Sequence, residues 1–154
     1  MNFKQGQALA TEIMDILRPH CVRIEIAGSI RRQKSFVHDI DLVLIPGNQG
    51  QLAMAIHQLG QASAMGTKIE RITYKGAQVD FYFATPKTWY TLLLIRTGSK
   101  EHNIKLTSLA KRRGWHLYAN GKGLENEKGE RIAGDSEESF FQALGIPYAP
   151  PERR

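Results

Sequence analysis

The stretch Asp39-Ile40-Asp41-Leu42-Val43-Leu44-Ile45 constrains this chain more than any other. Four consecutive apolar residues, half of them β-branched, read as a strand buried on both faces, so the strand is central to its sheet. Side chains alternate along a strand, which puts Asp39 and Asp41 on one face, two residues apart. The acids stand at the start of a buried strand and therefore open onto a cleft. Two carboxylates that close repel each other unless a proton or a cation lies between them. Hard divalent ions take oxygen ligands of this kind, and Mg²⁺ is commonly held by one or two carboxylates together with substrate phosphates. Standing alone, the pair has a plainer explanation as a solvent-facing Asp pair at a strand start.

The pair does not stand alone. Gly28-Ser29 follows an earlier strand and precedes Arg31-Arg32. Glycine lets backbone amides approach an anion, the serine hydroxyl adds a donor, and arginine supplies a fork matched to phosphate oxygens. The order strand, Gly-Ser, short basic segment, strand with Asp-x-Asp resembles a nucleotidyltransferase palm. Such a palm needs a third acid on a neighbouring strand, and Asp80 in Val79-Asp80-Phe81 meets that need. Its apolar flanks make an unpartnered carboxylate costly there. The structural alternative is an Asp80 capped by hairpin backbone.

Hydrophobic periodicity supplies the frame. Leu9, Ile13, Ile16 and Leu17 predict a helix over 3–17, stopped by Pro19. Strands are predicted at 22–27 and 39–45, with Gly28-Ser29 as a turn between them. A helix over 50–59 follows, then a hairpin of strands 68–74 and 77–83 about Lys75-Gly76. Beyond Thr85-Pro86, helices over 89–96 and 100–113 are separated by Thr97-Gly98-Ser99, with Ser99 as N-cap and Glu101 as first-turn acid. Short strands near 115–118, 123–125 and 131–132 and a helix over 137–144 complete the chain. The expected class is α+β: a mixed α/β palm with a central mixed sheet and flanking helices over 1–86, then a small α+β thumb over 87–154.

Charge decides the partner class. The 154 residues carry 21 Lys and Arg against 15 Asp and Glu, and seven of those cations fall in residues 86–113 beside the single acid Glu101. A clustered cationic stretch suits a polyanion such as nucleic acid, although a solvated face is the ordinary explanation of a charge run. No apolar run approaches the roughly 20 residues of a membrane span, so no membrane partner is expected. The N-terminal residues lack the apolar core of a signal peptide, and the lone Cys21 fits a reducing compartment, so a cytoplasmic or viral setting is expected. The five histidines and Cys21 offer no zinc spacing.

Taken together, Gly28-Ser29-Ile30-Arg31-Arg32, Asp39-Ile40-Asp41-Leu42 and Val79-Asp80-Phe81 resemble the palm of family X DNA polymerases, the relatives of DNA polymerase beta. Arg96-Thr97-Gly98-Ser99-Lys100-Glu101-His102-Asn103 and the ending Leu144-Gly145-Ile146-Pro147-Tyr148-Ala149-Pro150-Pro151-Glu152-Arg153 resemble the thumb segment and terminal signature of bacterial-type members. The resemblance implies a DNA-directed DNA polymerase that fills short gaps in repair, with template-primer or gapped DNA and deoxynucleoside triphosphates as partners, as a monomer. Asp39, Asp41 and Asp80 would be catalytic and hold two Mg²⁺ ions, with Mn²⁺ as an alternative. Gly28, Ser29, Arg32, Gly98, Ser99 and Asn103 would bind the nucleotide. Arg96, Lys105, Lys111, Arg112 and Arg113 would follow the DNA.

The chain departs from that family in several places. Ile95-Arg96 stands where an aromatic pair is usual, Tyr82 where a basic residue is common, and Gln33 where glycine is common. Only one helix precedes the palm, so neither a deoxyribose-phosphate lyase activity nor a dedicated 5′-phosphate pocket is expected. Two other functions compete: a nucleotidyltransferase that modifies RNA or protein, as antitoxin-like members do, and a non-catalytic basic DNA-binding module.

Overall fold

The computed structural model describes residues 1–154. The first helix, α1 (Phe3–Leu17), starts at a capping box in which Asn2 and Gln5 satisfy each other's backbone amides. It packs Ala10, Ile13 and Leu17 onto the sheet and ends at a 3₁₀ turn containing Pro19. Strand β1 (Cys21–Ile26) follows, then a single helical turn, α2 (Gly28–Arg31), and strand β2 (Asp39–Pro46). Helix α3 (Gln49–Leu59), capped by Asn48, leads into β3 (Ala62–Met65), β4 (Ile69–Tyr74) and β5 (Ala77–Phe83). These strands form one five-stranded sheet in the order β1-β2-β5-β4-β3. Every neighbouring pair is antiparallel except β2 and β5, which run parallel with Asp41 opposite Asp80.

Strand β2 is flanked by strands on both sides, and its apolar run is buried: Leu42, Val43 and Leu44 are inaccessible and Ile45 is nearly so. Leu42 and Leu44 face a core shared with α1 and α3, while Val43 and Ile45 face a second core with Ala84, Trp89, Leu92 and Leu93. The pair of acids therefore begins a strand held on all sides.

The second part of the chain comprises α4 (Trp89–Thr97), α5 (Lys100–Arg112), a three-stranded antiparallel sheet of β6 (His116–Tyr118), β7 (Gly123–Glu125) and β8 (Arg131–Ala133), and α6 (Glu137–Leu144). Its core joins Leu94, Leu106, Ala110, Leu117, Leu124, Phe140, Phe141 and Leu144. Helix α4 belongs to two cores at once, with Trp89, Leu92 and Leu93 against the large sheet and Leu94 in the second core. No helix is long and apolar enough to cross a membrane.

Two local expectations change. Gly28-Ser29 is not a free turn but the start of α2, with Gly28 at φ +61°. Strand β3, in Gln61-Ala62-Ser63-Ala64-Met65, was not expected, because alanine and serine carry little strand preference; pairing to β4 imposes the conformation.

Candidate active site

The site begins where β1 ends. The amide of Ala27 donates to the Asp41 carbonyl, which brings the Gly28 turn against the head of β2. A side chain at Gly28 would put its Cβ 2.0 Å from Asp41 Oδ2, and the positive φ independently favours glycine there. The next residues aim donors into the space beyond. The Ser29 hydroxyl and Arg32 Nε are buried without a protein partner. The Arg32 guanidinium also reaches across to the Thr97 carbonyl, at the end of α4.

The opposite wall comes from the junction of α4 and α5. Gly98 turns the chain at φ +71°, with Arg32 Nη1 3.0 Å from where a Cβ would stand. Ser99 caps α5 by accepting from the His102 amide at 3.2 Å. Asn103 donates one Nδ2 hydrogen to the Ile95 carbonyl at 2.8 Å, which leaves its second Nδ2 hydrogen and its buried Oδ1 without protein partners.

Between these walls lies an open cavity of about 770 Å³. Of the residues singled out from the sequence, Gly28, Ser29, Arg32, Asp39, Asp41, Arg96, Gly98, Asn103 and Lys111 line it. Ser99 does not; it is occupied as the helix cap. Lys105 and Arg112 are exposed on α5 away from the cavity. Arg113 is committed within the second part, donating to the Ala143 carbonyl at 2.9 Å and lying over Trp115.

Asp80 is in register beside Asp41 on the same sheet face, yet it does not open onto the cavity. It is 3% exposed and held by Arg71 of β4 in a two-pronged ion pair, Nε to Oδ1 at 2.6 Å and Nη2 to Oδ2 at 3.0 Å. Gln78 adds a long contact at 3.5 Å. Hence no three acidic, histidine or cysteine side chains converge as a ready metal cage.

Asp41 itself is strained electrostatically. Burial pushes its carboxyl up to about 7, and the neighbouring charge of Asp39 adds to the effect; the Tyr82 hydroxyl, donating to Oδ1 at 3.1 Å, works the other way. A carboxylate poised so close to neutrality gains from any cation that replaces the proton. Asp39 and Asp41 thus supply the hard oxygen donors a divalent ion takes, and the residues present fit such an ion.

Sequence reasoning missed several lining residues. His38, Tyr82, Lys100, Ile104, Thr107 and Ser108 also face the cavity. For Lys100 and Thr107, three before and four after Asn103, and for Ile104 and Ser108, which continue the i, i+4 row from Lys100, the helical spacing was a usable signal, since residues three and four apart share a face. His38 and Tyr82 flank the acids in sequence but carry no motif of their own.

A mixed-sheet palm whose acids face the start of a helical thumb defines a polymerase-type nucleotidyltransferase fold. Residues 92–154 match the family model of the DNA polymerase beta thumb. The chain is 33% identical, over 164 aligned positions, to the DNA polymerase/3′-5′ exonuclease PolX of Bacillus subtilis (strain 168). That alignment takes in 99% of this chain and 28% of the relative, so the chain spans little more than a quarter of the relative's length. Among solved structures, Leishmania infantum polymerase beta in a ternary P/T complex superposes with a TM-score of 0.83 at 22% identity, over 100% of this chain and 76% of that one. The same protein in a ternary gap complex gives 0.84 at 20% identity, over 100% and 70%. The chain is thus similar in sequence to a PolX DNA polymerase and in fold to polymerase beta.

Proposed function

We propose that this chain carries the active site of a DNA-directed DNA polymerase, with a palm over 1–86 and a thumb over 87–154, that adds deoxynucleotides to a primer 3′-hydroxyl and fills short gaps in repair. One observation carries the reading: acids, unpartnered phosphate-type donors and a shape-sensing amide share a single cavity, each from a different element.

The roles follow from chemistry. Ser29 and Arg32 hold the β and γ phosphates of the incoming triphosphate, because both present buried donors with no protein acceptor. Gly98 lets the sugar approach the backbone. Asn103 keeps a free hydrogen and a free oxygen for the minor-groove edge of the new pair, where acceptors are shared among base pairs and shape can be checked without reading sequence. Asp39 and Asp41 would hold two Mg²⁺, or Mn²⁺. Such ions supply Lewis acidity, lowering the pKa of the attacking hydroxyl and neutralising charge on the leaving pyrophosphate. Asp80 would supply a third ligand and accept the primer proton only if Arg71, which now holds both its oxygens, released it. Arg96, Lys105, Lys111 and Arg112 would follow the duplex backbone, joined by Arg113 only if it left the Ala143 carbonyl, which makes binding salt-dependent and indifferent to sequence.

A single-nucleotide gap offered each deoxynucleotide in turn tests this reading. Template-matched incorporation that requires Mg²⁺ is expected, with Asp41→Ala abolishing it while DNA binding persists. Incorporation regardless of template would remove the template-directed claim. The Arg71–Asp80 ion pair favours one second reading, a DNA-binding module with a locked palm. That reading predicts salt-dependent DNA binding with no incorporation under either metal.

A further inference from the structure

Asp41 carries most of the proposed chemistry, yet only two contacts fix its carboxylate. On one side Oδ2 lies against the Gly28 backbone so closely that no Cβ fits between them. On the other, Oδ1 accepts from the Tyr82 hydroxyl at 3.1 Å. Tyr82 stands on β5 opposite Val43 and two residues beyond Asp80, so its ring rises on the face of the acids and reaches diagonally to Asp41. Its position is fixed in turn. The Arg96 guanidinium, from the last turn of α4, lies 4.3 Å from the ring centroid, and Arg96 Nε is buried with no acceptor. Tyr82 and Arg96 also border a second cavity, of about 860 Å³, so the stacked pair stands between the two spaces.

We propose that Tyr82 is the positioning residue of Asp41, held by its stack on Arg96, and that it presents the carboxylate preformed to a divalent cation. A neutral hydroxyl suits this task. A lysine or arginine in direct contact would orient the carboxylate too, but its charge would compete with the incoming ion for the same oxygens. The phenol donates one hydrogen to Oδ1 and leaves Oδ2 and the remaining Oδ1 lone pair available. Without it, repulsion from Asp39 would turn the Asp41 carboxylate away, since the two acids share one face. The kinetic part of this inference rests on the polymerase reading; the metal-binding part does not.

Tyr82→Phe is the clean variant, because it keeps the ring and its stack and removes only the hydroxyl. Mn²⁺ binding, followed by electron paramagnetic resonance without DNA or nucleotide, is expected to weaken about tenfold, the lower end of what loss of a ligand-orienting partner costs. On gapped DNA, kcat should fall by a similar factor while KM for the nucleotide holds. Equal Mn²⁺ affinity in wild type and variant overturns the inference, even if kcat falls. Weakened Mn²⁺ binding in a protein whose wild type incorporates nothing keeps the role of Tyr82 and removes the polymerase reading. Should Tyr82→Phe fail to fold, ¹³Cζ-labelled tyrosine in the wild type replaces it: Mn²⁺ must broaden the Tyr82 signal and spare it in Asp41→Asn. A signal untouched by Mn²⁺ in the wild type overturns the inference.

Discussion

At neutral pH the Asp41 carboxyl is balanced between its two forms, because burial and Asp39 lift it to about 7 from a usual value of 3.8. The folded state then keeps a proton that the unfolded chain loses, so between about pH 4 and pH 7 each step upward lowers the stability of the ligand-free protein. Across that window Asp41 opposes folding by on the order of 4 kcal/mol. Asp41→Asn should be the more stable protein at pH 7.5 and nearly equal to wild type at pH 4, as thermal melts at both pH values would show. Mg²⁺ should raise the wild-type melting temperature more at pH 7.5 than at pH 5, since at the lower pH it must first displace a proton. The acid pair was legible in the sequence because strand alternation is local: two residues of spacing decide a shared face. The partners that tune it were not. Arg71 meets Asp80 only through the β4–β5 register, and Tyr82 meets Asp41 across a parallel pairing that no spacing encodes.

Among elements, the junction between the two parts of the chain is held by few but strong contacts. Arg31, at the end of α2, donates to both oxygens of Glu137 at the start of α6, at 2.8 and 2.6 Å, and to the Thr97 hydroxyl at 2.8 Å. Arg154 reaches the same Glu137 from the C-terminal end at 2.6 Å, its side chain fully buried. Burial alone would raise the Glu137 carboxyl, but the two guanidinium groups outweigh it and hold the group below its ordinary range. Glu137→Ala would strand two partly or wholly buried guanidinium groups, a loss of about 3–5 kcal/mol. A drop in melting temperature on the order of 10 °C is expected by calorimetry. Because the folded-state pKa is depressed, the contribution of Glu137 is present above the unfolded value near 4.5 and disappears as pH falls through the folded one. Apart from the single turn α2, the helices were readable nearly to the residue, since apolar spacing, Ser99 as a cap and Gly145 as a left-handed stop are all local signals. Glu137 read only as a helix start, because its partners lie 106 positions earlier and 17 later.

At the scale of the whole molecule, the large sheet and the smaller second layer meet along α4, whose side chains are shared between two different cores. The acids are rooted in the better buried of these bodies. Strand β2 has a hydrogen-bonded neighbour on each side and apolar side chains packed above and below it. The facing wall, from Gly98 to Asn103, is a helix start whose groups lean on single contacts. The two walls should therefore differ in lifetime. In native-state hydrogen exchange, amides of Leu42, Val43 and Leu44 should open only with global unfolding, while those between Gly98 and Asn103 exchange through smaller, cheaper excursions. Equal protection on both walls would contradict this. On that expectation the acids form a fixed anvil, and whatever enters the cavity is admitted from the side of the Gly98–Asn103 wall.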